Sequence, residues 1–116
     1  MHPAAITWTP ENIPTVGGAM NNFIAFPWLD FYQPGGGNIS YRTVGTAPNR
    51  TFVVSYNSLA TYPTFTVVSD TIQLRLYETT NIIEMYIKSC GSTNPKVLGI
   101  ENATGSNGLS AYELWL

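Results

Sequence analysis

The sequence predicts an all-β fold. Three observations predict it: apolar and polar residues alternate over several short stretches, turn-forming residues separate these stretches roughly every 8 to 12 residues, and no stretch has the periodicity of an amphipathic helix. The chain has 116 residues, which is enough for one hydrophobic core. We therefore expect a single domain over residues 1–116, an antiparallel β-sandwich of immunoglobulin-like or jelly-roll-like type with about eight or nine short strands and no substantial helix.

In the first half of the chain, apolar runs at residues 6–8 and 22–27 predict two strands. A hairpin follows, with strands at 39–44 and 52–56, because residues 45–50 between them are rich in turn-forming types. Stretches that contain several glycine, proline or other turn-forming residues are predicted to be loops, and they lie at 16–18, 33–37 and 58–63.

The clearest strand pattern lies in the second half, where apolar residues alternate with polar ones over 71–78. Residues 79–81 are typical of a tight connection, and a second alternating run follows at 82–88, so the two runs predict a hairpin. Further strands are predicted at 65–68, 96–100 and 109–116, with loops at 91–95 and 102–108.

Neutral polar residues, rather than charges, keep the surface hydrated. The chain contains 14 Thr, 10 Asn and 8 Ser but only 5 basic and 7 acidic residues. Such a balance is typical of extracellular surfaces. With a net charge of −2 there is no basic field for phosphates, so we expect no binding of nucleic acid.

Neither export signals nor membrane segments are visible. The N-terminus has no basic and apolar leader, so we expect export either as part of a longer secreted protein or within an assembled particle. The longest charge-free run, residues 51–69, is interrupted by polar residues and Pro63, so we expect no membrane insertion.

The sequence offers little for catalysis. The only histidine is His2, next to a terminus, and the only thiol is Cys90, which has no candidate base and cannot form an intrachain disulfide. Nothing in the pattern pairs any two of the six carboxylates considered for glycosidase chemistry, which are Asp30, Asp70, Glu78, Glu84, Glu101 and Glu113. We therefore expect no enzyme and no cofactor.

Two kinds of binding site stay open. Calcium accepts carboxylate and amide oxygens such as those of Asp30, Glu101, Asn102 and Asn107, but their spacing matches no known calcium loop, so we assign no metal site. Sugar rings stack on aromatic side chains, and a glycan platform would consist of Trp28, Tyr32 and Tyr62. The alternative is that the three tryptophans fill the core; they are Trp8, Trp28 and Trp115.

Four segments carry a resemblance to a known family. They are the turn Ala47-Pro48-Asn49-Arg50 within residues 37–54, the hairpin Leu76-Tyr77-Glu78 to Glu84, the segment Phe26-Pro27-Trp28-Leu29-Asp30 and the turn Gly99-Ile100-Glu101-Asn102. In order and type they resemble a β-sandwich module that is repeated in very large secreted adhesin-like surface proteins of Bacteroidetes-type bacteria. The resemblance covers about residues 22–108. It implies a scaffold at a cell surface, with no catalytic residue.

Within these segments the resemblance marks Arg50, Glu78, Asn81 and Asn102 as structural residues. Arg50 adjoins the turn of one hairpin and Glu78 ends the central strand of the other. We therefore expect a charge-assisted hydrogen bond between them that holds neighbouring loops together.

These observations favour a non-enzymatic structural or interaction β-sandwich of an extracellular surface assembly. It would be an adhesin-like module or a decoration subunit of a virion or fibre, located outside the cell, on the cell surface or on a virion. Its partners would be other proteins or further copies of itself. The alternative is a carbohydrate-binding module that uses loop aromatics on a cell-surface glycan.

Overall fold

The computed structural model describes residues 9–63 and 67–114, and its regular elements are almost entirely strands. They are β1 (Phe23–Trp28), β2 (Asn38–Val44), β3 (Thr51–Ala60), β4 (Val67–Tyr77), β5 (Ile83–Ser89), β6 (Lys96–Glu101) and β7 (Gly108–Leu114), with one 3-10 turn at Gln33–Gly35.

All the strands pair antiparallel in two sheets, one in the order β1-β6-β7 and one in the order β2-β3-β4-β5. The chain forms two compact units. The first contains the described residues up to Asp30 and from Asn94 onward, and the second contains Phe31–Thr93. The predicted fold class is confirmed, because the described residues form an all-β protein with two antiparallel sheets, as in a β-sandwich.

Both predicted hairpins are confirmed, as β2–β3 and β4–β5. Two details of the prediction were wrong. The loop predicted at 58–63 is strand as far as Ala60, because Leu59 and Ala60 pair with β4 beyond a bulge. The strands predicted at 65–68 and 71–78 contribute to one strand, β4, rather than two, and the described residues hold seven strands. The strand predicted at 6–8 lies outside the described residues.

The core of the first unit lies beside the pairing of β1 with β6. Ile13, Ala25 and Val97 are buried together, and the rings of Phe23 and Trp28 pack against them. The centroids of these two rings lie 5.5 Å apart with an interplanar angle of 88°, an edge-to-face contact.

The core of the second unit lies along β3 and β4, where Leu59, Ile72 and Leu74 are buried. Asp70 is also fully buried, and its Oδ1 accepts the backbone N–H of Ser92 at 3.2 Å. A buried carboxylate is held in place by such hydrogen bonds, so this contact fixes the chain after β5 to the start of β4.

Candidate interaction surface

The sheet β2-β3-β4-β5 has one face that is almost entirely apolar and one that is mostly polar. Side chains alternate between the two sides of a strand, and the registers of the three strand pairs bring apolar residues onto the same side. The apolar face consists of Ile39, Tyr41 and Thr43 of β2, Phe52, Val54 and Tyr56 of β3, Ile72, Leu74 and Leu76 of β4, and Ile83, Met85 and Ile87 of β5.

This apolar face is covered at its centre and exposed along both margins. Ile72 is only 2% exposed, whereas Tyr41 is 77% exposed on β2 and Ile87 is 50% exposed on β5. Single exposed apolar residues are ordinary, but a row of them on one sheet face marks a surface that contacts another molecule. The margins of the apolar face are therefore the strongest candidate for a functional surface.

The two outer strands of this sheet also have open edges. β2 and β5 are the first and last strands in the order, and every residue of β2 is exposed. Within residues 9–63 and 67–114, no strand pairs with the outer side of either one. Unpaired N–H and C=O groups along such an edge are a template for another strand.

The polar face carries a hydrogen-bonded network around Glu84. The hydroxyl groups of Tyr77 and Tyr86 both donate to Glu84 Oε2, at 2.6 and 2.8 Å. The Arg75 guanidinium lies over the ring of Tyr86, 4.5 Å from its centroid. The hydrogen bonds from Tyr77 and Tyr86 lower the pKa of Glu84, and the bond from Tyr86 also raises the pKa of Tyr86 itself, so Glu84 is a carboxylate at neutral pH.

The structure brings Arg50 and Glu78 together at the end of the sheet. Arg50 Nε donates to Glu78 Oε2 at 2.8 Å and Nη2 donates to Oε1 at 2.5 Å, a bidentate ion pair. The backbone N–H of Glu78 donates to the carbonyl oxygen of Arg50 at 2.9 Å, and Thr79 Oγ1 donates to the carbonyl oxygen of Pro48. These bonds connect the turn of the β2–β3 hairpin to the turn of the β4–β5 hairpin.

We expect Arg50→Ala to lower the thermal unfolding midpoint more than Arg42→Ala, because the exposed side chain of Arg42 makes no hydrogen bond or ion pair among the described residues. The side chain of Arg50 lowers the pKa of Glu78 from 4.5 to about 2. Because the pKa of Glu78 is lower in the folded than in the unfolded state, its ionised carboxylate stabilises the fold. This contribution is complete above pH 4.5 and is lost as the pH falls from 4.5 to about 2.

Thermal unfolding of the wild type and both variants, followed by circular dichroism from neutral pH down to about pH 2, measures these effects. The wild type should lose stability across this acid range more steeply than Arg50→Ala, and added salt should reduce the difference, since both side chains are partly exposed. Equal midpoints for Arg50→Ala and Arg42→Ala would contradict a stabilising ion pair.

Asn81 and Asn102 lie in hairpin turns. Asn81 has a φ of 56° and its N–H donates to the carbonyl oxygen of Tyr77, so it supports the left-handed backbone of the β4–β5 turn. Asn102 follows β6, and its Oδ1 accepts the backbone N–H groups of Ser106 and Asn107 at 3.1 and 3.2 Å. Both contacts give these asparagines structural positions in turns.

The proposed aromatic platform is divided between the two units. Trp28 packs in the first unit, as described above, whereas Tyr32 and Tyr62 lie in the second. The two tyrosines follow the paired residues Phe31 and Thr61, and they are 37% and 50% exposed. The structure therefore places two of the three aromatic residues near one short bridge. Trp8 and Trp115 lie outside the described residues.

Further residues considered for catalysis or metal binding include His2, Cys90 and Asn102. His2 lies outside the described residues, and Cys90 is a half-buried thiol just after β5. The side-chain oxygen of Asn102, considered for calcium, already accepts two N–H groups. Among the described residues, no three His, Cys, Asp or Glu side chains are grouped so as to hold a metal ion.

The described residues define an antiparallel β protein with exposed apolar margins and open sheet edges, features that in β proteins are typical of surfaces that contact other molecules. The family comparison identifies it further. A family model described as NIDO related matches residues 2–113, and the chain belongs to the NIDO-related family. No curated protein and no solved structure matches the chain. The described residues contain no helix that is long and apolar enough to cross a bilayer.

NIDO is an extracellular adhesive domain, and membership of the related family makes this chain an extracellular module of structural or interaction type. The expectation of an extracellular module, which the resemblance implied, is confirmed. The exposed margins of the sheet were not singled out from the sequence, although both hairpins that form them were predicted.

Proposed function

We propose that the protein is a non-enzymatic interaction module of an extracellular surface assembly, and that it binds a protein partner through the sheet β2-β3-β4-β5. The observation that carries this proposal is the coincidence of exposed apolar side chains with open strand edges on β2 and β5. An adhesin-like surface protein and a subunit that decorates a virion or fibre are the two settings in which such a module would act.

The energetics support a protein partner. Tyr41 exposes 77% of its surface, and burying a large apolar side chain contributes roughly 1.5–3 kcal/mol. A partner strand added at the β2 edge would also form hydrogen bonds with the unpaired main-chain N–H and C=O groups of β2. These hydrogen bonds would orient the partner, and burial of the neighbouring apolar side chains would add affinity. Tyrosine is enriched among the residues that dominate binding at protein interfaces.

The charged groups of this sheet support a non-enzymatic role. Glu78 is held by Arg50, and Glu84 accepts hydrogen bonds from two tyrosines, so both carboxylates stabilise the sheet and its turns. A lowered pKa keeps them ionised at neutral pH, which is the wrong state for a general acid.

The test is retention of the purified, fluorescently labelled protein on cells or particles of its native source. We expect the wild type to be retained after washing and Tyr41→Glu to be retained at least about tenfold less, since a charge would be buried at the contact. Tyr62→Glu is the matched control, because Tyr62 is also an exposed tyrosine in the second unit, and both variants should keep the circular dichroism spectrum of the wild type.

A second function is favoured by Tyr32 and Tyr62, which are exposed next to the Phe31–Thr61 bridge and whose aromatic rings would stack on a sugar. This smaller platform would make the chain a carbohydrate-binding module without Trp28. Loss of retention in Tyr62→Glu but not in Tyr41→Glu would support this alternative. Equal retention of both variants would contradict binding through either surface.

A further inference from the structure

We propose that the partner is a second copy of this chain, whose strand β5 pairs with strand β2 and continues the four-stranded sheet. This inference rests on the proposed function, because it names the protein that the exposed edges bind. Each copy would use both of its open edges, β2 toward one neighbour and β5 toward the other. Edge pairing supplies main-chain hydrogen bonds, and the side chains set the register.

The directions of the strands suit this pairing. Each strand runs antiparallel to its neighbour in the order β2-β3-β4-β5, so β2 and β5 run in opposite directions. A copy placed beside the first without being turned over therefore brings β5 antiparallel to β2. Its apolar face then lies on the same side of the extended sheet.

One register between β2 and the β5 strand of the next copy places complementary residues opposite each other on both faces of the sheet. It places Arg42 opposite Glu84 of the next copy, which are unlike charges on the polar face. The pairs on the apolar face are then Ile39 with Ile87, Tyr41 with Met85, and Thr43 with Ile83. Apolar pairs and unlike charges that lie directly opposite each other both stabilise an antiparallel pair.

The side chains of Arg42 and Glu84 can both form this ion pair without giving up a hydrogen bond to another described residue. The side chain of Arg42 is exposed and makes no hydrogen bond or ion pair within residues 9–63 and 67–114. Glu84 accepts both tyrosine hydroxyl groups on Oε2, and its Oε1 has no hydrogen-bond partner in the same residues. Oε1 of Glu84 is therefore the atom that would accept the guanidinium of the next copy.

The two symmetric pairings are less complementary. Pairing β2 with β2 would bring Arg42 near its own copy, and like charges on paired strands are destabilising. Pairing β5 with β5 would set Glu84 against Lys88. However, Ile72 pairs with Ile87 and Thr71 with Ser89, so Lys88 is an extra, bulged residue that disturbs the edge.

Because β2 and β5 are different surfaces, their pairing does not close on itself, and copies would add in one direction. Four strands at the usual spacing between neighbours give a repeat of about 19 Å per copy along the direction of growth. Wild-type protein should therefore form oligomers that grow with concentration and salt-sensitive filaments with this repeat.

The experiment is multi-angle light scattering on the untagged chain up to about 1 mM, together with a double-mutant cycle of Arg42→Glu and Glu84→Gln. Arg42→Glu should raise the dissociation constant at least about tenfold in the wild-type background, because the introduced carboxylate would face Glu84 of the next copy. In the Glu84→Gln background the same change should cost less than about threefold, since the repulsion is gone. Damage to the fold would not depend on Glu84 in this way.

Lys88→Glu is the control, as it reverses another exposed charge on β5. We expect it to change the dissociation constant less than about threefold. A large loss with Lys88→Glu, and none with Arg42→Glu, would show pairing of β5 with β5 and overturn the proposal. A wild type that stays monomeric would also overturn it, while retention on the native surface would still support an interaction module with a different partner.

Discussion

Replacing Gly37 by alanine is expected to lower the free energy of unfolding by about 3 kcal/mol, through left-handed strain and backbone overlap together. Gly37 precedes β2 with a φ of 84°, a conformation that costs an L-residue energy. A Cβ atom at this position would lie 2.3 Å from the carbonyl oxygen of Ser58 and 2.5 Å from that of Asn57. Backbone atoms cannot move aside without breaking the start of the β2–β3 pairing.

Gly17→Ala separates the two causes. Gly17 has a similar φ of 76°, but a Cβ atom there would meet nothing within 4 Å. This variant should lose only about 1–2 kcal/mol, the cost of the left-handed backbone alone. Urea unfolding of both variants at neutral pH measures the difference. Equal losses would show that the β3 backbone does not pack tightly against Gly37.

The two hairpins were predictable because their signals are local. In β4 and β5, alternation with a period of two places Ile72, Leu74 and Leu76 on one face, and the residues that connect the strands are good turn formers. The register of the pair then follows from the length of the turn. No distant part of the chain is needed to specify this geometry.

The errors in the predicted fold arose where strands pair irregularly or join segments that are distant in the sequence. Asn57 and Ser58 are turn-forming residues, and Ser58 has a positive φ of 51°, yet they form a bulge within β3 rather than a loop. Leu59 and Ala60 continue the strand because β4 pairs with them. The pairing of β1 with β6 likewise joins segments about 70 to 80 residues apart, a distance over which alternation carries no information.

The contact between Arg50 and Glu78 could be anticipated, because each residue adjoins the turn of a predicted hairpin and their charges are opposite. Burial could not be anticipated in the same way. Ile72 and Ile87 are both apolar residues on the same face, but one is buried and the other is 50% exposed. Exposure depends on what the rest of the chain covers, and so the candidate surface emerged only from the structure.

Replacing Leu59 by alanine is expected to lower the free energy of unfolding by about 2–5 kcal/mol, the range for truncation of a fully buried leucine. Leu59 is 0% exposed and lies opposite Asp70, within the segment that sequence patterns assign to a loop. Its loss would leave a cavity at a fully buried site, because the surrounding side chains relax only partly into the space.

Ile82→Ala is the matched control for Leu59→Ala, since it removes the same number of carbon atoms from a residue that is 50% exposed in the β4–β5 turn. It should cost less than about 1 kcal/mol. Urea unfolding of the two variants gives the comparison directly. If Leu59→Ala cost no more than Ile82→Ala, residues 58–60 would behave as the exposed loop that their composition suggests. A loss several times larger would instead show that the extended β3 forms part of the core of the second unit.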